Sequence, residues 1–167
     1  VNLIGTSGGA WTAVNAAMER PDLIKSVAAD SFDGRTFAND FAEKLIAERT
    51  FAKNDVSARQ FYGWCQGDDW EKVVDLDTKA LTECAERKLP LFQKSLDHLE
   101  VPVLFLGSLE DPMVRSNLAE EYEQIKQQVQ NGHVYLFPTG GHPAIVSNTE
   151  AAARIITEFI NSIKQTN

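Results

Sequence analysis

The 167-residue sequence predicts an α/β fold, a parallel sheet with helices between its strands. Three observations carry this. Short, largely apolar runs begin at Val1, Leu23, Val101 and His133. Segments of helical period separate them. After three of the four runs comes a glycine-containing or proline-marked loop that presents a reactive side chain, first a serine, later an acid, then a histidine.

The first run, Val1-Asn2-Leu3-Ile4, leads into Gly5-Thr6-Ser7-Gly8-Gly9 and a helix-compatible stretch, 10–20, with Trp11, Val14 and Met18 at helical spacing and Pro21 as its stop. Ser7 therefore sits at a sharp strand-to-helix turn. The glycines two before and two after it are expected to let strand and helix approach without colliding Cβ atoms. Trp11 reads as a core residue. The second strand is expected over 23–30, containing Ile24, Val27, Ala28 and Ala29, reached by the short connection of a right-handed βαβ unit.

From 33 to 98 no strand pattern appears. Phe37, Phe41, Leu45 and Ile46 recur at helical spacing, as do Val73, Leu76, Ala80, Leu81 and Cys84. A helical segment this long exceeds a simple crossover and reads as a cap or lid, dividing the chain into 1–32, 33–98 and 99–167. Its aromatics, Phe37, Phe41, Phe51, Phe61, Tyr62, Trp64 and Trp70, either pack the insertion or wall an apolar pocket. Phe37, Phe41 and Trp64 are the candidate substrate-binding set.

The third strand, Val101-Pro102-Val103-Leu104-Phe105-Leu106-Gly107, opens into Glu110-Asp111-Pro112. A helix over 117–130 stops near Asn131-Gly132. The fourth strand, His133 through Pro138, ends in Thr139-Gly140-Gly141-His142-Pro143. Asn148 or Thr149 caps a final helix, about 150–164, whose Ile155, Ile156, Phe159, Ile160 and Ile163 face the sheet. Ser7, Asp111 and His142 thus each follow a strand, in that chain order. Glu110, Asp30 and Asp33 are the other acids near strand ends, and His98 and His133 read as surface or capping residues. The Ser7 loop lacks the lysine of a nucleotide P-loop and the glycine spacing of a dinucleotide site.

On these residues the chain resembles the C-terminal half of an α/β-hydrolase, a truncated fold of about four parallel strands flanked by helices with a helical cap insertion. The resemblance implies Ser7 as nucleophile, His142 as general base and acid, Asp111 as the residue orienting the imidazole, and the Gly8 N–H as an oxyanion donor. It implies hydrolysis of an ester-like bond of a small acyl substrate through an acyl-serine, with no metal and no organic cofactor. Carboxylesterase-like chemistry is the default, with aminopeptidase, lactonase or thioesterase chemistry available to the same triad. Members of the family place further strands, and the loop with the second oxyanion donor, before the elbow, whereas here Val1 already lies in the elbow strand. The resemblance therefore implies a shortened chain with impaired turnover. It also implies an open edge at 1–4 that pairs with a second copy, giving a homo-oligomer, or with a missing N-terminal half. The reading from a different class is an interaction or sensor module without turnover.

Composition narrows the partners. A formal charge of −8 opposes nucleic acid and anionic membrane surfaces, both of which recruit clustered Lys and Arg. No apolar run approaches the ~20 residues that span a bilayer. Cys65 and Cys84 have neither disulfide density nor metal-ligand spacing, so a reducing cytoplasm is the expected compartment.

Overall fold

A computed structural model describes residues 1–164. The elements in chain order are β1 (Asn2–Thr6), α1 (Gly8–Glu19), β2 (Ser26–Asp30), α2 (Phe41–Asn54), α3 (Val56–Gln66), α4 (Trp70–Glu86), a 3₁₀ turn (Leu96–His98), β3 (Val103–Ser108), α5 (Leu118–Gln128), β4 (Gly132–Phe137), α6 (Ala144–Ser147) and α7 (Thr149–Lys164). They form two compact units, one comprising Val1–Arg35 with Pro90–Asn167, the other Thr36–Leu89.

The first unit is built on a four-stranded sheet in the order β1-β2-β3-β4, every pair parallel. Its inner strands are the most continuously apolar or small segments of the chain, and every residue of β2 and β3 is buried. That is the pattern of parallel strands covered on both faces. On one face Leu3, Val27, Ala29, Val103 and Phe105 pack with Ala10, Val14 and Ala17 of α1 and with Tyr122 and Ile125 of α5. On the other, Ala28, Leu104, Leu106 and Phe137 pack with Ala144 of α6 and with Ala152, Ile156 and Phe159 of α7. Because all strands run the same way, the loops after β1, β2, β3 and β4 leave the sheet at one end. An open parallel sheet presents its ligands there.

The loop after β2 is locked to α5 by one phenol. Phe32 stacks on Tyr122 with ring centroids 4.9 Å apart, and Tyr122 Oη accepts the Phe32 N–H at 3.1 Å while donating to the Phe32 carbonyl at 2.9 Å. Burial pushes the Tyr122 phenol well above its ordinary value, so it stays a neutral donor.

Within the second unit, α2, α3 and α4 bury Phe41, Leu45, Ala52 and Val74. Asp55 caps α3, its Oδ1 accepting the Ala58 N–H at 2.8 Å. Phe37 stacks on Phe41 at 3.9 Å, and Tyr62 stacks on Trp70 at 5.7 Å with the Arg49 guanidinium 5.3 Å from the Tyr62 ring.

Three local expectations are corrected. The second strand begins at Ser26 rather than at 23, because 21–23 form a turn in which Arg20 pairs with Asp22 at 2.7 Å, leaving Leu23 exposed. In α4 the stripe turned inward runs through Val74, Thr78, Leu81 and Ala85, so Leu76 and Ala80 face solvent. Of the insertion's aromatics, Phe51, Phe61 and Trp64 are exposed. No helix among the described residues is long and apolar enough to cross a membrane.

Candidate active site

The serine turn is built by steric necessity. A Cβ on Gly5 would stand 2.1 Å from the Gly9 carbonyl oxygen and 2.9 Å from Ala10 N, so α1 leaves β1 only because residue 5 has no side chain. Gly9 has no such constraint: a Cβ there would meet nothing within 4 Å. The expectation that both glycines are needed for clearance is thus corrected, since the clash would be between a Cβ at residue 5 and the backbone at residues 9 and 10. Ser7 takes φ 52° and ψ −122°, a conformation L-residues avoid, and its N–H donates to the Asp30 carbonyl at 2.8 Å. Its hydroxyl makes no hydrogen bond among the described residues. Gly8 is the first residue of α1, where a backbone N–H has no carbonyl one turn earlier to bond.

At the end of β3 the chain turns tightly and places Asp111 with its side chain fully buried. Oδ1 accepts the Met113 N–H at 2.9 Å, which leaves Oδ2 to accept from His142 Nδ1 at 2.8 Å. The imidazole remains 21% exposed. With Nδ1–H held by the carboxylate, Nε2 carries the free lone pair. The histidine loop is tied at several points: Ser108 Oγ donates to the Gly140 carbonyl, Ser147 Oγ to the Gly141 carbonyl at 2.9 Å, and Asn148 Nδ2 to the Thr139 carbonyl at 3.1 Å.

Asp30, at the end of β2, bonds in two directions. Its Oδ2 accepts from Thr6 Oγ1 at 2.9 Å and from the Ile145 N–H at 3.1 Å, and its Oδ1 accepts from Ser31 Oγ at 3.1 Å. The residue before Ser7 and the third residue after His142 are therefore within two hydrogen-bond lengths of each other. Burial pushes the Asp30 carboxyl up from its ordinary range, against the hydrogen bonds from Ile145, Thr6 and Ser31 and the charge of His142, which pull it down. Asp33 sits deeper in the same loop, its Oδ1 accepting the Arg115 N–H at 2.7 Å. Glu121 binds Arg35 through its N–H, Nε and Nη2, each at 2.9 Å, and pairs with Arg115 at 3.2 Å. Desolvation pushes the Glu121 carboxyl up, but those arginine contacts outweigh it and hold the group below its ordinary value.

The structure brings Asp111 and His142 into direct contact, and places Ser7 and Gly8 at the same end of the sheet. Glu110 has its N–H directed at Ser108 Oγ and is exposed, and Asp30 and Asp33 are occupied as described. His98 is exposed beside Asp97, and His133 lies on β4 edge-on to Phe159, so neither reaches the acid. Phe37, Phe41 and Trp64 belong to the helical unit, where the first two stack and Trp64 is 83% exposed. Sequence reasoning missed Thr6 and Ser31. The available signal was polar residues closing two neighbouring strands, Thr6 and Asp30-Ser31, at positions that a parallel register sets side by side.

The sequence matches no family model, and no curated protein is similar to it in sequence. Solved structures do share its fold. NosK from Streptomyces actuosus matches with a TM-score of 0.73 at 21% identity, over 98% of this chain and 70% of that one. MGS-M2, an alpha/beta hydrolase enzyme from a Medee basin deep-sea metagenome library, matches with a TM-score of 0.62 at 18% identity, over 96% of this chain and 65% of that one. An esterase from Pyrococcus furiosus matches with a TM-score of 0.59 at 18% identity, over 98% of this chain and 53% of that one. The chain spans between 53% and 70% of the length of these three structures. Its four parallel strands and flanking helices have the α/β-hydrolase fold.

Proposed function

We propose that the chain is a serine hydrolase acting on an ester-like acyl bond, with Ser7 as nucleophile, His142 as general base and acid, Asp111 orienting the imidazole, and the Gly8 N–H as an oxyanion donor. The observation that carries this reading is the Asp111–His142 pair at 2.8 Å, at the sheet end where Ser7 occupies a strained strand-to-helix turn. The shared fold with an esterase and with an alpha/beta hydrolase enzyme supports hydrolysis as the reaction class.

In this mechanism Ser7 Oγ attacks the acyl carbon while its proton passes to His142 Nε2. The carbonyl π electrons move to oxygen, which faces the Gly8 N–H. Collapse of the tetrahedral intermediate breaks the bond to the leaving alkoxide, which takes the proton back from His142. Water then repeats the sequence on the acyl-serine, releasing the acid and restoring Ser7. Asp111 stays ionised, fixing the tautomer and stabilising the imidazolium. The test is labelling of the chain by an alkyl fluorophosphonate together with hydrolysis of p-nitrophenyl acetate and butyrate. Label on Ser7, absent in Ser7→Ala, is the expected result. Neither label nor ester turnover above the Ser7→Ala background refutes it.

A second reading concerns assembly. Among the described residues β1 pairs with β2 alone, and Val1 and Ile4 are 69% and 55% exposed. A row of backbone donors and acceptors beside apolar side chains is a template for strand addition. We propose that this edge pairs with a second copy of the chain or with an N-terminal half of the same fold. For the first, sedimentation of the chain alone should show a concentration-dependent dimer that Ile4→Lys weakens. A monomer at high concentration overturns self-association.

A further inference from the structure

Asp30 and Ser31 touch all three carriers of the proposed triad. The Asp30 carbonyl accepts the Ser7 N–H at 2.8 Å and its carboxylate accepts from Thr6 Oγ1, so the dipeptide holds the nucleophile turn from both sides. The Ser31 N–H donates to the Leu106 carbonyl at 2.9 Å, which fixes it to the strand that ends before Asp111. Ser31 Oγ accepts the Ala144 N–H at 2.7 Å and Asp30 Oδ2 the Ile145 N–H at 3.1 Å, the first two amides after His142-Pro143. Ser31 adopts φ 53° to reach these partners. A positive φ at a non-glycine residue is strained and persists where the surroundings dictate it.

Asp30 is 0% exposed, so the hydrogen bonds from Thr6, Ser31 and Ile145 take the place of water at its carboxyl.

We propose that Asp30 and Ser31 are positioning residues that hold the serine turn and the histidine loop in reacting register. This rests on the triad reading. Asp30 is not the orienting acid itself, because both of its oxygens already accept from Thr6, Ser31 and Ile145 while His142 Nδ1 is bonded to Asp111.

The experiment measures saturable labelling of Ser7 by an alkyl fluorophosphonate, separating the maximal rate from the half-saturating concentration, at a temperature where every variant is folded. Asp30→Asn keeps the shape but turns one of the two acceptor oxygens into a donor. It should lower the maximal rate by on the order of 10-fold or more with the half-saturating concentration unchanged, since small misplacements of reacting groups have effects of this size. Thr6→Val, which removes one donor, should lower it less, and Thr6→Ser should restore it. Amide hydrogen exchange at Ala144 and Ile145 should accelerate in Asp30→Asn and in Ser31→Ala. If Asp30→Asn does not fold, Thr6→Val against Thr6→Ser and Ser31→Ala decide by the same rate. A wild-type maximal rate in the folded variants overturns the positioning role and leaves the triad standing. A wild-type chain that takes no label overturns the triad, and the positioning role with it.

Discussion

Gly5 and Gly9 flank Ser7 symmetrically in the sequence, yet the structure assigns them opposite tolerances. A methyl group at residue 5 would stand 2.1 Å from the Gly9 oxygen, 2.5 Å from its carbonyl carbon and 2.9 Å from Ala10 N. All three are backbone atoms inside the first turn of α1, so no side chain can rotate away. Relieving the clash requires the helix to retreat by roughly 1 Å to restore ordinary van der Waals separation. Ala10, Val14 and Ala17 of α1 are each 0% exposed against the sheet, so a retreat opens voids along the same interface.

Overpacking against side chains costs about 1–3 kcal/mol, and a rigid backbone places Gly5→Ala at or above the top of that range. At 167 residues each kcal/mol corresponds to roughly 2–4 °C, so the expected fall in Tm is about 6–12 °C. Gly9→Ala points into open space from a helical position, where alanine is favoured over glycine by about 0.5–1 kcal/mol, and should leave Tm unchanged or raise it slightly. Thermal and urea denaturation of the two variants beside the wild type measure the contrast. Gly5→Ala as stable as wild type, or Gly9→Ala equally damaging, would refute the steric account of the turn.

Three further outcomes are expected. Asp111→Asn keeps the acceptor for the Met113 N–H but turns an amide NH₂ toward His142 Nδ1, fixing the wrong tautomer, so ester turnover should fall by on the order of 10⁴ with little change in Tm. A normal kcat in that variant counts against the assignment of Asp111. Tyr122→Phe strands the Phe32 N–H and C=O in a buried site and should cost about 2–3 kcal/mol in urea denaturation, whereas a neutral change would mean the loop finds other partners. Glu121→Gln should destabilise by about 2 kcal/mol near neutrality, discounted from a fully buried pair because Arg35 is 36% exposed. The Glu121 carboxyl is held below its ordinary 4.5, so this contribution is complete above that pH and is lost as pH falls through the depressed value. The gap between wild type and Glu121→Gln must therefore narrow on acidification, and one that widens contradicts the sign.

What the sequence disclosed follows from how local each signal is. The strands β2 and β3 are legible because strands buried on both faces are built of apolar or small residues over most of their length, and the serine turn because glycine and reversal are specified within five residues. Asp111 is singled out by the resemblance, and its contact with His142 depends on a turn whose own hydrogen bonds lie within three residues. The stripe on α4 is hard to read from sequence because Val73 and Val74 are adjacent, and starting from Val73 rotates the inferred face to include Leu76. Gly9 was misread because a symmetric motif suggests symmetric need, while the collision is between one Cβ and one carbonyl. The Asp30 hub was least legible of all. Its meaning requires knowing that residue 30 lies beside residue 6 in register and that a loop 115 positions later returns to the same carboxylate. A parallel sheet makes such convergence ordinary, since it collects every strand's outgoing loop at one end however far apart the loops lie in the chain. For that reason a substitution at the end of β2 is expected to reach Ser7 and His142 together.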